Sequence, residues 1–395
     1  MTFNYKKQEE LRFPPLSPIS QCFNTSIIPL TIIGVFEFEV PIQELHALQF
    51  LRDHFVPCTP RFSCVIDTGA KGVDRWMKVE VIYEDHVIVP MFAEGLSPME
   101  CDHLCKQYIS KIGTEKFPGN RPLWELHLIK YPTPSGASTM VLKLSHAIGD
   151  GYSYIWTLFN AFRRADNPSL PLTFPPLSFG SKGARQTQLW SFFLKYKHTV
   201  SDFFWSFTTA ASENPRSAIR SGSDHLESKP INISIIIIPL EKVKEIKSII
   251  GGTVNDVITG LVSYMIHLYM VRMGKISKNR DMTLLVMVNM RALKGYKSID
   301  DMLKANIWGN HSRFLHVKLP SHGEECIDPL QFIMKAKKVM EKKKKSVAIY
   351  LIDPILKVLR WFSGRKGLAK FINLNFYNAS TMITNVIGPK EKIAM

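Results

Sequence analysis

Between Ser26 and Val40, β-branched and aromatic residues step against polar ones and end in FEFEV, a period of two that predicts a strand. Pro41 to His54 changes the period, with Ile42, Leu45, Leu48 and Leu51 on one face of an amphipathic helix. Strand patterns at Arg75–Tyr83 and Leu126–Tyr131 flank a helix over Pro98–Ile112. Thr139–Ser145 is a further strand, followed by a glycine turn and an apolar stretch of helical length, Tyr152–Phe162. Before all of these, Pro14, Pro15 and Pro18 make a long helix improbable in residues 1–25.

A Pro-, Ser- and Leu-rich passage from Asn167 to Lys182 marks a linker. Pattern resumes at Ile231–Leu240, a β-branched run that predicts a strand, and continues in helices at Glu241–Ile250 and Asn255–Met273, the latter capped by Thr253 or Asn255. Met282–Met290 and Arg313–Leu319 read as strands, and Asp328–Ser346 as a basic helix. Strands and helices mix in both halves, which predicts an α/β chain divided at 1–166, 167–230 and 231–395.

Composition narrows the class. The 395 residues are 45% hydrophobic and 21% charged, which excludes a disordered chain, a collagen and a coiled coil. The six cysteines form no CxxC, so neither a zinc site nor a disulfide framework is expected. MTFNYKKQEELRF has no apolar core, so no signal peptide is expected, and the Asn-x-Ser matches at Asn24, Asn232, Asn310 and Asn378 read as chance. The net charge of +16 gathers at Lys335–Lys345, which suits a solvated helix face or attraction to anionic lipid or a phosphate-bearing thioester. No nucleic-acid-binding signature accompanies that charge. No run of eighteen uninterrupted apolar residues occurs. Leu189–Ala211, rich in Trp and Phe but broken by Lys195, Lys197, His198 and Asp202, suits a helix in the membrane interface or a core helix between domains.

Candidate chemistry lies in LSHAIGDG, Leu144 to Gly151. His146 stands at the end of a strand on a Gly-flanked turn, where an imidazole can remove a proton from an alcohol or amine. Asp150 would turn back and hold the turn, and Gly149 and Gly151 would supply its backbone angles. A structural histidine in a strand–helix loop fits the octapeptide equally well. The second HxxxD, His198 to Asp202, has no strand before it and no glycine after it. Ser145 and His146 point to opposite faces, and no GxSxG occurs, so a serine-hydrolase arrangement is excluded.

LSHAIGDG resembles the HHxxxDG motif of CoA-dependent acyltransferases, and the whole chain resembles the plant-type wax ester synthase/diacylglycerol acyltransferase family. PLWELHLI at 122–129, TVNDVITG at 253–260, TLLVMVNMR at 283–291, WGN at 308–310 and MITNVIGPKEKI at 382–393 occur in the family's order. The resemblance implies two chloramphenicol-acetyltransferase-like halves with a tunnel between them. It implies acyl-CoA as co-substrate, a fatty alcohol or diacylglycerol as acceptor, no bound cofactor or metal, and His146 as general base. Asp150 would pair with Arg291, and Asn255 would orient His146 or the developing oxyanion. Pro122, Leu123 and Trp124 match PLW and are expected to pack; Asn385, Gly388 and Pro389 belong to the NVIGP motif. A membrane surface is the implied partner, at the cytosolic face of the endoplasmic reticulum or at the plasma membrane. Two departures stand out: Ser145 replaces the family's first histidine, and the sequence stops soon after NVIGP, so the second half is expected to be incomplete. The alternatives are a non-catalytic lipid-binding relative and a soluble BAHD-type acyltransferase; the latter's DFGWG-type motif is absent.

Overall fold

The computed structural model describes residues 15–68, 74–173, 218–219, 231–274, 282–291, 308–319, 328–344 and 348–395. The aromatic segment 189–211 and most of the expected linker lie outside the described residues.

The first half is built on a four-stranded sheet in the order β1-β6-β5-β4. β1 is Thr31–Phe38, β4 Val87–Ile88, β5 Trp124–Ile129 and β6 Ser138–Ser145. β6 runs antiparallel to both β1 and β5, and every one of its residues is buried. Register explains why. Trp124 lies opposite Leu144, Leu126 opposite Leu142 and Leu128 opposite Met140, so one face of the pair is continuously apolar. That face carries the main core with Phe50, Phe55, Phe62 and Tyr154. On the other face Val141 and Ile129 meet Cys105, Ile109 and Ile112 of helix α3, Pro98–Thr114. α3 starts at a complete capping box between Ser97 and Glu100. The hairpin β2 (Cys64–Thr68) and β3 (Asp74–Lys78) stands apart from the sheet.

Helix α1 is a single short stretch, Pro18–Phe23, capped by Ser17. The predicted helix at 41–54 begins only at Glu44: α2 spans Glu44–Phe50 and passes into a π-helical turn at Leu51–Phe55. That turn carries Leu51 and Phe55, both fully buried, onto the core. Helix α4, Gly151–Ala161, follows β6 directly and leads to β7, Arg163–Arg164.

In the second half β8 (Met282–Asn289) pairs antiparallel with β9 (Ser312–Leu319) and parallel with β10 (Thr381–Ile383). Helices α5 (Leu240–Ile249), α6 (Val254–Arg272) and α7 (Pro329–Lys344) accompany this sheet. Thr253 is the N-cap of α6, in a capping box with Asp256. By length and composition α6 could cross a membrane, yet its Val257 and Ile258 pack with Ile333 of α7.

Two further elements differ from the sequence reading, and the strand expected over Arg75–Tyr83 ends at Lys78. Ile231–Leu240 forms no strand; Ile235, Ile236 and Ile237 are 66%, 66% and 90% exposed. β-branched residues favour a ladder only where a partner edge is offered, and here Ile231 instead donates its N–H to Ser110 Oγ at 2.9 Å. The second is α8, Ala348–Tyr377, which the pattern did not predict because Pro354 and Gly364 interrupt it. α8 breaks at Gly364 (φ 66°). Its Leu356, Leu368, Ala369 and Ile372 pack on Ile19, Cys22 and Phe23 of α1 and on Ala147. β11, Ile393–Ala394, returns to pair with β7, so the last strand of the chain joins the first half.

Candidate active site

His146 follows the last residue of β6, and its N–H is fixed by the Leu30 carbonyl at 2.9 Å. The ring is 8% exposed and lies 4.7 Å from the Phe23 ring. Its Nδ1 is 2.9 Å from Asn310 Oδ1, while Asn310 Nδ2 donates to the His146 carbonyl at 2.7 Å and to Ser20 Oγ at 2.8 Å. A carbonyl can only accept, so the amide nitrogen of Asn310 must face it. Oδ1 therefore faces the imidazole and accepts Nδ1–H. The proton is thereby placed on Nδ1, which leaves Nε2 as the basic atom, and Nε2 has no hydrogen-bond partner among the described residues. Burial lowers the His146 pKa below its ordinary value, against smaller raising effects from Asp150 and the Asn310 bond. The ring is thus kept neutral near pH 7.

The orienting residue is Asn310 and not Asn255. Asn255 lies half-buried in the first turn of α6, and among the described residues no hydrogen bond joins it to His146. Its neighbour Asp256 is occupied as the capping-box partner of Thr253 at 2.8 Å. Sequence reasoning missed Asn310, although the WGN tripeptide at 308–310 was the signal that marked it.

Asp150 does not reach the imidazole. Its side chain is fully buried and caps α4 by accepting the Ser153 N–H at 3.1 Å. It also accepts Arg291 Nη1 at 2.9 Å, His311 N–H at 2.8 Å and Ser312 Oγ–H at 2.9 Å. Burial alone would raise the carboxyl, but Arg291 and these donors hold it below the ordinary carboxylate range. Arg291 in turn donates Nη2–H to the Gly309 carbonyl at 2.8 Å and to Ser153 Oγ at 3.0 Å. Asp150 and Arg291 are therefore one clamp between the two halves, and Asp150 acts on architecture, not on reacting atoms.

The glycines serve close approach. Gly149 does not have a positive φ, contrary to expectation; a Cβ there would sit 3.0 Å from Ser153 Cβ and 3.3 Å from Trp308 Nε1. Gly151 would meet only Val386, at an ordinary 3.8 Å. Gly309, at φ 123°, is the position in this loop that needs glycine's conformational freedom. Trp308 Nε1–H and Arg61 Nη1–H both donate to the Ile148 carbonyl, at 3.2 and 2.8 Å, and so fasten the turn from both sides.

Ser145 Oγ accepts the Ala147 N–H at 3.2 Å, so the serine is part of the turn. Trp124 is fully buried; it donates to the Phe62 carbonyl at 2.8 Å and stacks on His86 at 3.9 Å. Pro122 is buried and Leu123 half-buried, and the Leu123 carbonyl accepts the Ser145 N–H at 3.0 Å. These three residues hold the strand end from behind. Asn385 and Gly388 are exposed and Pro389 half-buried, outside the hydrogen-bonded cluster around His146; Val386 alone brings that motif to Gly151. Among the described residues no group of three or more His, Cys, Asp or Glu is placed to hold a metal ion.

Two α/β halves joined at a strand-end histidine and a buried Asp–Arg clamp define a chloramphenicol-acetyltransferase-like fold. Solved structures agree. The wax ester synthase/diacylglycerol acyltransferase from Marinobacter aquaeolei VT8 matches with a TM-score of 0.54 at 15% identity, covering 94% of this chain and 81% of that one. The first condensation domain of the calcium-dependent antibiotic synthetase, in complex with a substrate analogue, matches at 0.53 and 15% identity, over 86% of this chain and 76% of the other. Residues 308–395 match the family described as the WS/DGAT C-terminal domain. Wax ester synthase/diacylglycerol acyltransferase 4 of Arabidopsis thaliana is 26% identical over 98% of this chain and 79% of its own length. Number 11 of the same plant is 28% identical over 98% of this chain and 83% of its own. Over nearly its whole length the chain is thus similar to the plant wax ester synthase/diacylglycerol acyltransferases, and its residues 308–395 match that family's C-terminal domain.

Proposed function

We propose that the chain is an O-acyltransferase that moves a fatty acyl group from acyl-CoA to a long-chain alcohol, to diacylglycerol, or to both. The observation that carries this reading is the His146 imidazole, with Nδ1–H tied to Asn310 and Nε2 without a hydrogen-bond partner among the described residues. Nε2 removes the acceptor's hydroxyl proton as the oxygen attacks the thioester carbonyl. The C–S bond then breaks, and the imidazolium returns its proton to the CoA thiolate. No acyl-enzyme is required, which fits a Ser145 whose oxygen is engaged in its own turn. The names of the curated relatives, each a wax ester synthase/diacylglycerol acyltransferase, support the reaction class. Lipid acceptors place the protein at a membrane, which we assign to the cytosolic face of the endoplasmic reticulum. The test is labelled acyl-CoA with hexadecanol or diacylglycerol as acceptor: ester formation by the parent chain supports the reading. A chain that makes no ester with either acceptor would instead favour a non-catalytic lipid-binding relative.

A further inference from the structure

We propose that the elbow of α8 docks the protein on an anionic lipid surface, because exposed Trp361 and Phe362 stand there among the exposed Lys357, Lys366 and Lys370. The proposal deepens the functional reading, which needs a lipid acceptor but does not say which part of the molecule meets the lipid.

Three observations carry it. First, Trp361 and Phe362 are 79% and 75% exposed, side by side with ring centroids 4.4 Å apart. They stand just before Gly364, where α8 breaks, so they occupy the outer corner of a bend. Two large aromatic side chains left adjacent in water mark an interaction site, and aromatic rings are suited to the headgroup boundary. Second, residues 354–390 contain no Asp or Glu. Among the described residues no carboxylate pairs with Lys357, Arg360, Lys366 or Lys370, whereas Arg365 is engaged by Asp74 at 2.5 Å. Three exposed, uncompensated lysines, Lys357, Lys366 and Lys370, beside an aromatic pair complement a surface of phosphate headgroups. The same charge opposes a second copy of this chain, which would bring like charges together. Third, the inner face of α8 is aliphatic and rests on α1 and Ala147. Phe23 of α1 in turn touches the His146 ring. One layer of packed side chains thus separates the elbow's helix from the candidate base, so docking there would bring the lipid phase to the same side of the molecule as the site.

The experiment sediments the full chain with phosphatidylcholine vesicles, with and without phosphatidylserine. The parent chain is expected to bind both and to prefer the anionic vesicles. Trp361→Ser/Phe362→Ser should weaken partitioning to both compositions about tenfold. Lys357→Gln/Lys366→Gln/Lys370→Gln should abolish the preference for phosphatidylserine while leaving neutral vesicles bound. All five side chains are exposed, so melting temperatures should stay at the parental value. A parent chain that binds neither vesicle, or an aromatic variant that sediments like the parent, would overturn the proposal. So would a parent dimer that the aromatic variant converts to monomer with vesicle binding unchanged. Ester formation is read separately with acceptor in detergent micelles. Loss of vesicle binding with micellar turnover retained supports docking, and a parent chain without turnover overturns the proposed function while leaving the vesicle result readable.

Discussion

Replacing Asn310 by Leu removes the acceptor of Nδ1–H and lets the imidazole rotate and change tautomer. Turnover should fall about 10²-fold with a smaller change in KM, since Asn310 acts through the His146 ring. The pH profile separates positioning from general damage. His146 acts when neutral, and burial holds its pKa below the ordinary 6.5, so the parental rate should persist below that pH and fail only as the ring protonates. The Asn310 bond raises that pKa, so Asn310→Leu should move the acid limb lower, and Asn310→Asp should move it higher by placing a carboxylate on the imidazolium. An acid limb that does not move in either variant would rule out Asn310 as the orienting group. His146 and Asp150 were legible in the sequence because one short motif carries both. Asn310 was not, because it is 164 positions away and reaches His146 only after the halves close.

Among the elements, β5 and β6 carry a buried pair that pattern alone does not explain. Lys143 is 1% exposed and donates to Glu125 Oε2 at 2.9 Å, with the two residues directly opposite in register. Lys143→Met would strand the Glu125 carboxylate and should cost about 3 kcal/mol or more in stability. Lys143→Met/Glu125→Leu should recover most of that loss, as measured by chemical denaturation. Burial would raise the Glu125 carboxyl, but bonds from His127, Lys143 and Arg121 bring it down to about 2 from 4.5. A depressed carboxyl stabilises the fold above its unfolded value, so this contribution should drain between pH 4.5 and 2, and Glu125→Gln should flatten the dependence of melting temperature on pH there. β1, β5, β6, β8 and β9 were legible because their apolar faces alternate or run unbroken, whereas β4 and β10, two and three residues long, are too short to carry a pattern. Ile231–Leu240 was misread because β-branching signals a capacity for pairing, not the presence of a partner. α8 was hidden because proline and glycine inside it imitate a loop.

At the scale of the molecule, the two halves meet at Asp150–Arg291, at His146–Asn310 and at the contact of α8 with α1. Arg291→Met leaves a buried, uncompensated carboxylate and should lower stability by about 3–5 kcal/mol. The calorimetric melting temperature should fall with it, and ester formation should fall because His146 and Asn310 come from opposite halves. The closing contacts were not legible in the sequence, since each joins residues far apart along the chain. The central claim is that Nε2 of His146 deprotonates the acceptor hydroxyl, and it is tested most directly by comparing ester formation from labelled acyl-CoA and hexadecanol by the parent chain and by His146→Ala, both confirmed folded by their melting curves. The parent should form ester clearly, and the variant should lose about 10²- to 10⁴-fold. Near-parental turnover by a folded His146→Ala chain would contradict it.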